Sequence, residues 1–244
     1  MTNVRDGLQL RYLRRMVKTP AGRAFLLNQL ADAESNGENQ VFEAVLSNVD
    51  DPALQKMIEK HRADEVRHAQ LYHEAAVRQG VPLEPVPPHL KLIDRLDRAV
   101  GGFLTQPITD ARGVMEAYVM LQVIEERATS QFTLLERAFR EVDPQTADVV
   151  ASICADEERH LLYCHAISKR YAPDEATRVE TLHRYRELEA RCFAENSEAL
   201  MQHTQARGYF SGGPLVKWFW RNLQALGRRQ GLPYTAYFAA AQAA

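Results

Sequence analysis

Between Asp51-Pro52 and Gly80, apolar and ligand-type residues recur at steps of three and four: Ile58, His61, Glu65, His68, Tyr72 and Ala75. That spacing lines one face of an α-helix. Asp51 ahead of Pro52 is a helix start, and Gly80 is a stop. A second stretch, from Asp143-Pro144 to near Tyr171, has the same character, with Val150, Ile153, Glu157, His160, Cys164 and Ile167 on one face. Three further long helices are expected: about 20–48 behind Thr19-Pro20, about 111–140, and a Glu- and Arg-rich one from beyond Pro173 to about 207. Pro82, Pro85, Pro87 and Pro88 make 81–110 a long connection, with room for a short crossing helix at 89–101. Ser211-Gly-Gly-Pro214 breaks the fifth helix, an amphipathic stretch covers 215–229, and the Ala-rich 235–244 is expected to fray. No segment reads as a strand, so the expected fold class is all-α.

The two strongest stretches belong to a repeat. Glu34 and Asp64-Glu65-Val66-Arg67-His68 are matched 92 positions later by Glu126 and Asp156-Glu157-Glu158-Arg159-His160, and Asp51-Pro52 falls on Asp143-Pro144. Glu-x-x-His sets a carboxylate and an imidazole one turn apart on one helical face. Residues on two antiparallel helices lie level when they are equally far from the turn. The midpoint of Glu34 and Glu65 is 49.5, just before Pro52, and that of Glu126 and Glu157 is 141.5, just before Pro144. Glu43 would put the midpoint at 54, inside the second helix, whereas Glu38 lies one turn from Glu34 and remains open as an extra ligand or supporting acid.

The candidate metal ligands are therefore Glu34, Glu65, His68, Glu126, Glu157 and His160. Carboxylates facing one another inside a helical bundle repel and are costly to desolvate, and two divalent cations offset both effects. Oxygen-rich ligands with imidazoles suit iron or manganese, whereas zinc sites are usually four-coordinate and richer in His or Cys. Asp64 and Asp156 each precede a ligand glutamate and could orient the opposite half's histidine through its second ring nitrogen. Without metal, the same residues would form a polar network or a solvated face.

Other residues carry weaker signals. Tyr72, Tyr118 and Tyr163 are candidates for electron or radical transfer, though core packing with one hydrogen bond explains them as well. Cys154 and Cys164 read as small buried hydrophobes, and His61, His73 and His165 as supporting or surface residues rather than ligands.

Composition adds limits. The three cysteines, Cys154, Cys164 and Cys192, form no CxxC pair, which argues against a disulfide scaffold and for a reducing cytoplasm. The start Met-Thr-Asn-Val-Arg has no apolar signal core, and no run is long enough to span a bilayer. The net charge of −2 is segregated: residues 1–30 carry +5 and residues 201–244 also +5, leaving −12 between. The basic termini are a solvated surface or a contact for an anionic partner or membrane. Trp218-Phe219-Trp220, set among Lys217, Arg221, Arg228 and Arg229, caps the bundle, meets a subunit, or lies at a membrane surface or carrier partner. No nucleic-acid-binding motif is present.

The ligand pattern resembles the ferritin-like diiron-carboxylate superfamily. Asp-Glu-x-x-His in both halves is similar to bacterioferritin, and Glu34-Ser35 resembles the rubrerythrins. The resemblance covers about residues 20–171. It implies an antiparallel four-helix bundle with one long crossover, which fits the connection at 81–110. A basic N-terminal helix (1–19) before the bundle and a helical extension packed on it (172–244) are expected as additions, and the extra length after the fourth helix departs from cage-forming ferritins. It also implies two irons, with Glu34, Glu65 and His68 on one side, Glu126, Glu157 and His160 on the other, and Glu65 and Glu157 bridging. The chain departs from the family in lacking a rubredoxin-type cysteine module. With Ile153 one turn before Glu157, it also does not meet the three-histidine N-oxygenase pattern.

The expected activity is that of a non-haem diiron oxidoreductase using O₂ or peroxide to oxidise or hydroxylate a small organic substrate, with an external electron donor and a monomeric or homodimeric chain. Mn/Fe or Mn/Mn pairs would use the same ligands. A ferroxidase or iron-storage role, and a metal-free helical interaction protein, are the alternatives.

Overall fold

The computed structural model describes residues 4–36, 39–103 and 106–229, so Glu38 and the Ala-rich 235–244 lie outside the described residues. The described chain is all-helical, with no strand. In chain order the helices are α1 (Val4–Met16), α2 (Pro20–Asn36), α3 (Asn39–Leu46), α4 (Pro52–Val77), α5 (Leu92–Ala99), α6 (Ala111–Phe139), α7 (Pro144–Tyr171), α8 (Glu175–Ala206) and α9 (Pro214–Arg229). A 3-10 turn, Pro88–Leu90, precedes α5.

The helix starts form as their sequences dictate. Thr19 Oγ1 accepts from Gly22 N at 3.0 Å, Asp51 from Ala53 N at 2.8 Å, Asp110 from Gly113 N at 2.7 Å, Asp143 from Thr146 N at 3.1 Å and Asp174 from Thr177 N at 2.7 Å. After α4 the chain reverses through Gly80, whose φ of 70° is in the left-handed region glycine tolerates. Within the expected helix 20–48 the described residues form α2, to Asn36, and α3, from Asn39 to Leu46.

Helices α2 and α4 pack together, as do α6 and α7, and α4 packs across α7. The buried stripes step by three and four: Leu27, Ala31 and then Glu34 on α2; Ile58, His61, Glu65, His68 and Tyr72 on α4; Tyr118, Leu121, Glu125, Phe132 and Leu135 on α6; Ile153, Glu157, His160 and Cys164 on α7. On α4, α6 and α7 the chemistry-bearing residues sit in the middle of the stripe with apolar ones beyond, whereas the α2 stripe ends on half-buried Glu34. The apolar core is accordingly in two parts. One holds Leu27, Ala31, Tyr72, Phe132, Leu135, Val150 and Ile153; the other holds Phe42, Ile58, Tyr118, Leu121, Cys164 and Ile167. The polar layer lies between them.

Helix α8 lies against α6 and α5. Arg127 and Glu189 join it to α6 in a buried two-pronged ion pair at 2.9 and 2.6 Å, with the Arg127 guanidinium 4.2 Å above the Phe193 ring. Cys154, Cys164 and Cys192 are free thiols. None of the helices, over the described residues, is long and apolar enough to cross a membrane.

Candidate metal centre

Helices α4 and α7 cross antiparallel, which brings Glu65 level with His160 and His68 level with Glu157. His160 Nδ1 lies 3.1 Å from Glu65 Oε1 and 2.8 Å from Glu157 Oε2; His68 Nδ1 lies 3.4 Å from Glu157 Oε1 and 3.8 Å from Glu65 Oε2. All four side chains are buried. Glu34 joins from α2, grouped with His68 and Glu157. Five of the six residues expected as ligands are thus brought together.

The sixth is not. Glu126 turns toward α8, where Arg186 grips its carboxylate at 2.6 and 2.8 Å and Gln122 donates to it at 3.0 Å. Glu125 takes the interior place: its Oε1 is 2.8 Å from His61 Nε2 and 3.6 Å from His160 Nδ1. The reason is helical register. Glu125 continues the stripe Tyr118, Leu121, while Glu126 is rotated by about 100° onto the face that meets α8. The 92-residue alignment points one residue too far on α6, and the midpoint argument cannot tell 125 from 126.

His61 is the second departure. Read from sequence as a supporting residue, it is buried against Phe42, its ring stacks 4.0 Å from that of His160, and its Nε2 is 3.3 Å from Glu65 Oε1. Its place on the α4 stripe, one turn before Glu65, is the signal that could have found it. His73 and His165 are exposed.

The donor atoms form two adjoining groups: His61, Glu65, Glu125 and His160, and Glu34, His68 and Glu157, with the atoms of each group within 4.8 Å of one another. The imidazoles are aimed. His68 Nε2 faces Asp156 Oδ2 and His160 Nε2 faces Asp64 Oδ2, each at 3.4 Å, so both Nδ1 atoms point into the carboxylate layer. This is the role sequence assigns to Asp64 and Asp156. Two arginines from the same motif lock those aspartates. Arg159 reaches Asp64 at 2.7 Å and Asp156 at 2.6 Å, and Arg67 pairs with Asp156 and lies 3.5 Å from Asp64. Lys60 adds a contact to Asp64 at 2.6 Å.

The layer is electrostatically strained. Burial, with the neighbouring charge of Glu125, pushes the Glu157 carboxyl up to about 10. Burial also acts to raise Glu65, but hydrogen bonds from Glu34, His160, His61 and His68 outweigh it and hold that carboxyl well below the usual range. Burial lowers His160, yet hydrogen bonds to Glu125, Glu157 and Glu65 reverse this and raise the imidazole strongly. Protons thus do the neutralising in the chain alone. Even so, His68 Nδ1, which points into the layer, stands 3.4 Å from Glu157 Oε1 and is buried without a hydrogen bond of ordinary length among the described residues. Buried polar atoms normally find partners, and a ring nitrogen aimed at carboxylates without a close contact leaves room for an ion between them. Four carboxylates, three imidazoles and no thiolate suit iron or manganese. The residues fit a pair of divalent cations, whose charge would balance four ionised acids.

Tyr72 is fully buried one turn beyond His68; burial first, then the charges of Glu34, Glu157 and Glu65, hold its phenol well above the ordinary tyrosine value, so it stays protonated. Its hydroxyl has no hydrogen-bond partner among the described residues. Tyr163 is half-buried, with its ring 6.5 Å from that of His160. Tyr118 lies in the apolar layer on the His61 side. A cleft of about 450 Å³ opens between α2, α4 and the segment 85–91, lined by Asn28, Asp32, Ser35, Gln70, His73 and Lys91 among others. Ser35 and Ala69, both at this cleft, adjoin Glu34 and His68 in the chain.

The chain therefore has an all-helical fold enclosing a buried His/Glu cluster able to hold metal. No protein-family model, curated protein or solved structure matches it.

Proposed function

We propose that the buried layer holds two iron ions, or a manganese-containing pair, and that the protein is a non-haem oxidoreductase of ferritin-like type acting on a small organic substrate. In this reading α2, α4, α6 and α7 are the four-helix set, with 78–110 as the crossover and α1, α8 and α9 as additions. The single observation that carries it is the pair of adjoining ligand groups, sealed between two apolar layers, with both histidines turned inward by aspartates from the opposite half.

His61, Glu65, Glu125 and His160 would hold one ion, and Glu34, His68 and Glu157 the other. Such a pair supplies electrons to dioxygen or peroxide and polarises what it binds. The remaining work falls to the chain. Asp64 and Asp156, themselves held by Arg67 and Arg159, keep the imidazoles in the tautomer that offers Nδ1. Ile58, Phe42, Ile153 and Phe132 exclude water above and below. The Tyr72 hydroxyl is a buried donor able to hold or pass a proton beside the carboxylates. The cleft beside Ser35 and Ala69 is of a size that admits a small molecule.

Anaerobic titration with Fe²⁺ followed by oxygen-electrode measurement tests this. Uptake of two ions per chain and oxygen consumption above that of free Fe²⁺ are expected; a chain that binds no iron sinks the reading. A large hollow assembly oxidising many irons per chain would instead mark an iron-storage protein, which size-exclusion chromatography distinguishes from a monomer or dimer.

A further inference from the structure

Seven large hydrophobic residues are exposed among the described residues, and three of them, Leu215, Trp218 and Phe219, lie in the first turns of α9, 82 %, 65 % and 48 % exposed. Their spacing places them on one face. Trp220 is on another and is only 6 % exposed. It packs edge-on against Tyr12 at 5.7 Å, and Tyr12 in turn stacks on Phe210 at 5.1 Å. The backbone joins the same two segments, since Ser211 N donates to Arg15 O at 3.3 Å and Arg15 Nη1 donates to Ser211 O at 3.1 Å. The start of α9 is therefore fixed on α1 by one tryptophan while the other points to solvent.

Charge identifies what this face suits. Residues 201–244 contain five Arg or Lys (Arg207, Lys217, Arg221, Arg228, Arg229) and no acid, and residues 1–30, which include α1, carry a net +5. Two of these cations are already paired, Arg14 with Glu141 and Arg207 with Glu84. Arg11 and Lys18, flanking Tyr12 on the α1 segment, are exposed and make no ion pair among the described residues. A second copy docking through this face would bring two like-charged basic surfaces together. An anionic lipid surface offers the opposite charge for the cations and an interfacial layer for Leu215, Trp218 and Phe219, the depth at which tryptophan partitions. No described helix is able to cross a bilayer, so contact would be with one leaflet.

We propose that α9 and α1 together form a peripheral docking face for anionic membrane, with Leu215, Trp218 and Phe219 entering the interface and the basic termini facing the headgroups. This stands apart from the metal site and survives its failure.

The test is sedimentation of the full chain with phosphatidylcholine vesicles, with and without 30 mol % phosphatidylglycerol (about one charged lipid in three), with tryptophan emission read in parallel. Binding is expected only to the anionic vesicles, with a blue shift, and should weaken severalfold at high salt. Trp218→Ser with Phe219→Ser should lower the bound fraction at least about tenfold without changing thermal melting or metal content. Arg11→Gln with Lys18→Gln should lower it severalfold. The proposal is overturned if wild-type protein stays in the supernatant with anionic vesicles. It is equally overturned if light scattering shows a dimer that the aromatic variants abolish and vesicles do not bind.

Discussion

Glu125 and Glu126 are adjacent, chemically identical and opposite in role. In the proposed metal reading, Glu125→Ala should reduce bound metal by one ion per chain, or weaken affinity at least about tenfold, because it removes one of the four donors grouped as His61, Glu65, Glu125 and His160. Glu126→Ala should leave metal content unchanged but destabilise folding by about 1–3 kcal/mol, since Arg186 loses its two charge-assisted hydrogen bonds at the α6–α8 contact. Metal analysis and thermal melting of the two variants check both halves, and the reverse pattern would restore the sequence-based choice. Asp64→Asn and Asp156→Asn should each lower metal affinity by about 10–100-fold while keeping the ligands, because the imidazoles lose their orienting acceptors. Glu65, His68, Glu157 and His160 were legible because a tight motif recurs at one spacing. Glu125 and His61 were not, because the repeat pairs Glu34 with Glu126 and His61 with Ile153, so only the three-and-four stripe marks them.

Elements were easier to read than ligands because their signals are local. Each Asp-Pro pair marks a helix start from its own neighbours, and Asp143 illustrates the energetics. Burial alone would raise its carboxyl, but hydrogen bonds from the Thr146 side chain and backbone and from Gln79 outweigh it and hold the group below the usual aspartate value. A folded-state value below the unfolded one stabilises the protein above the unfolded value, and that contribution is lost as pH falls through about 4 and below. Asp143→Ala should therefore cost about 1 kcal/mol at neutral pH, with the difference from wild type vanishing in acid-denaturation curves. The Arg127–Glu189 pair belongs to tertiary structure and had no sequence signal. Glu189→Ala should destabilise by about 3–5 kcal/mol in chemical denaturation, because it removes both charge-assisted hydrogen bonds that join buried Arg127 to α8.

The whole molecule is built around a buried polar layer. Its apolar core is divided by a layer of four acids and three imidazoles, and protons are the only neutralising charges the layer itself contains. The all-helical class and the presence of this layer follow from periodicity and repetition. The path of α8 over α6 and the seating of α9 on α1 depend on contacts between distant residues, and no local pattern encodes them. Ions that bind only the folded chain stabilise it by mass action, so a metal-loaded sample at about a hundredfold excess over the dissociation constant should gain about 2.7 kcal/mol per site over a chelated one. The most direct measurement is metal content per chain after anaerobic loading with Fe²⁺ or Mn²⁺ and desalting, for wild type and for Glu65→Ala with Glu157→Ala. Two ions per wild-type chain and none in the double variant are expected. A wild-type chain that retains no metal, or a double variant that retains as much as wild type, would contradict the account.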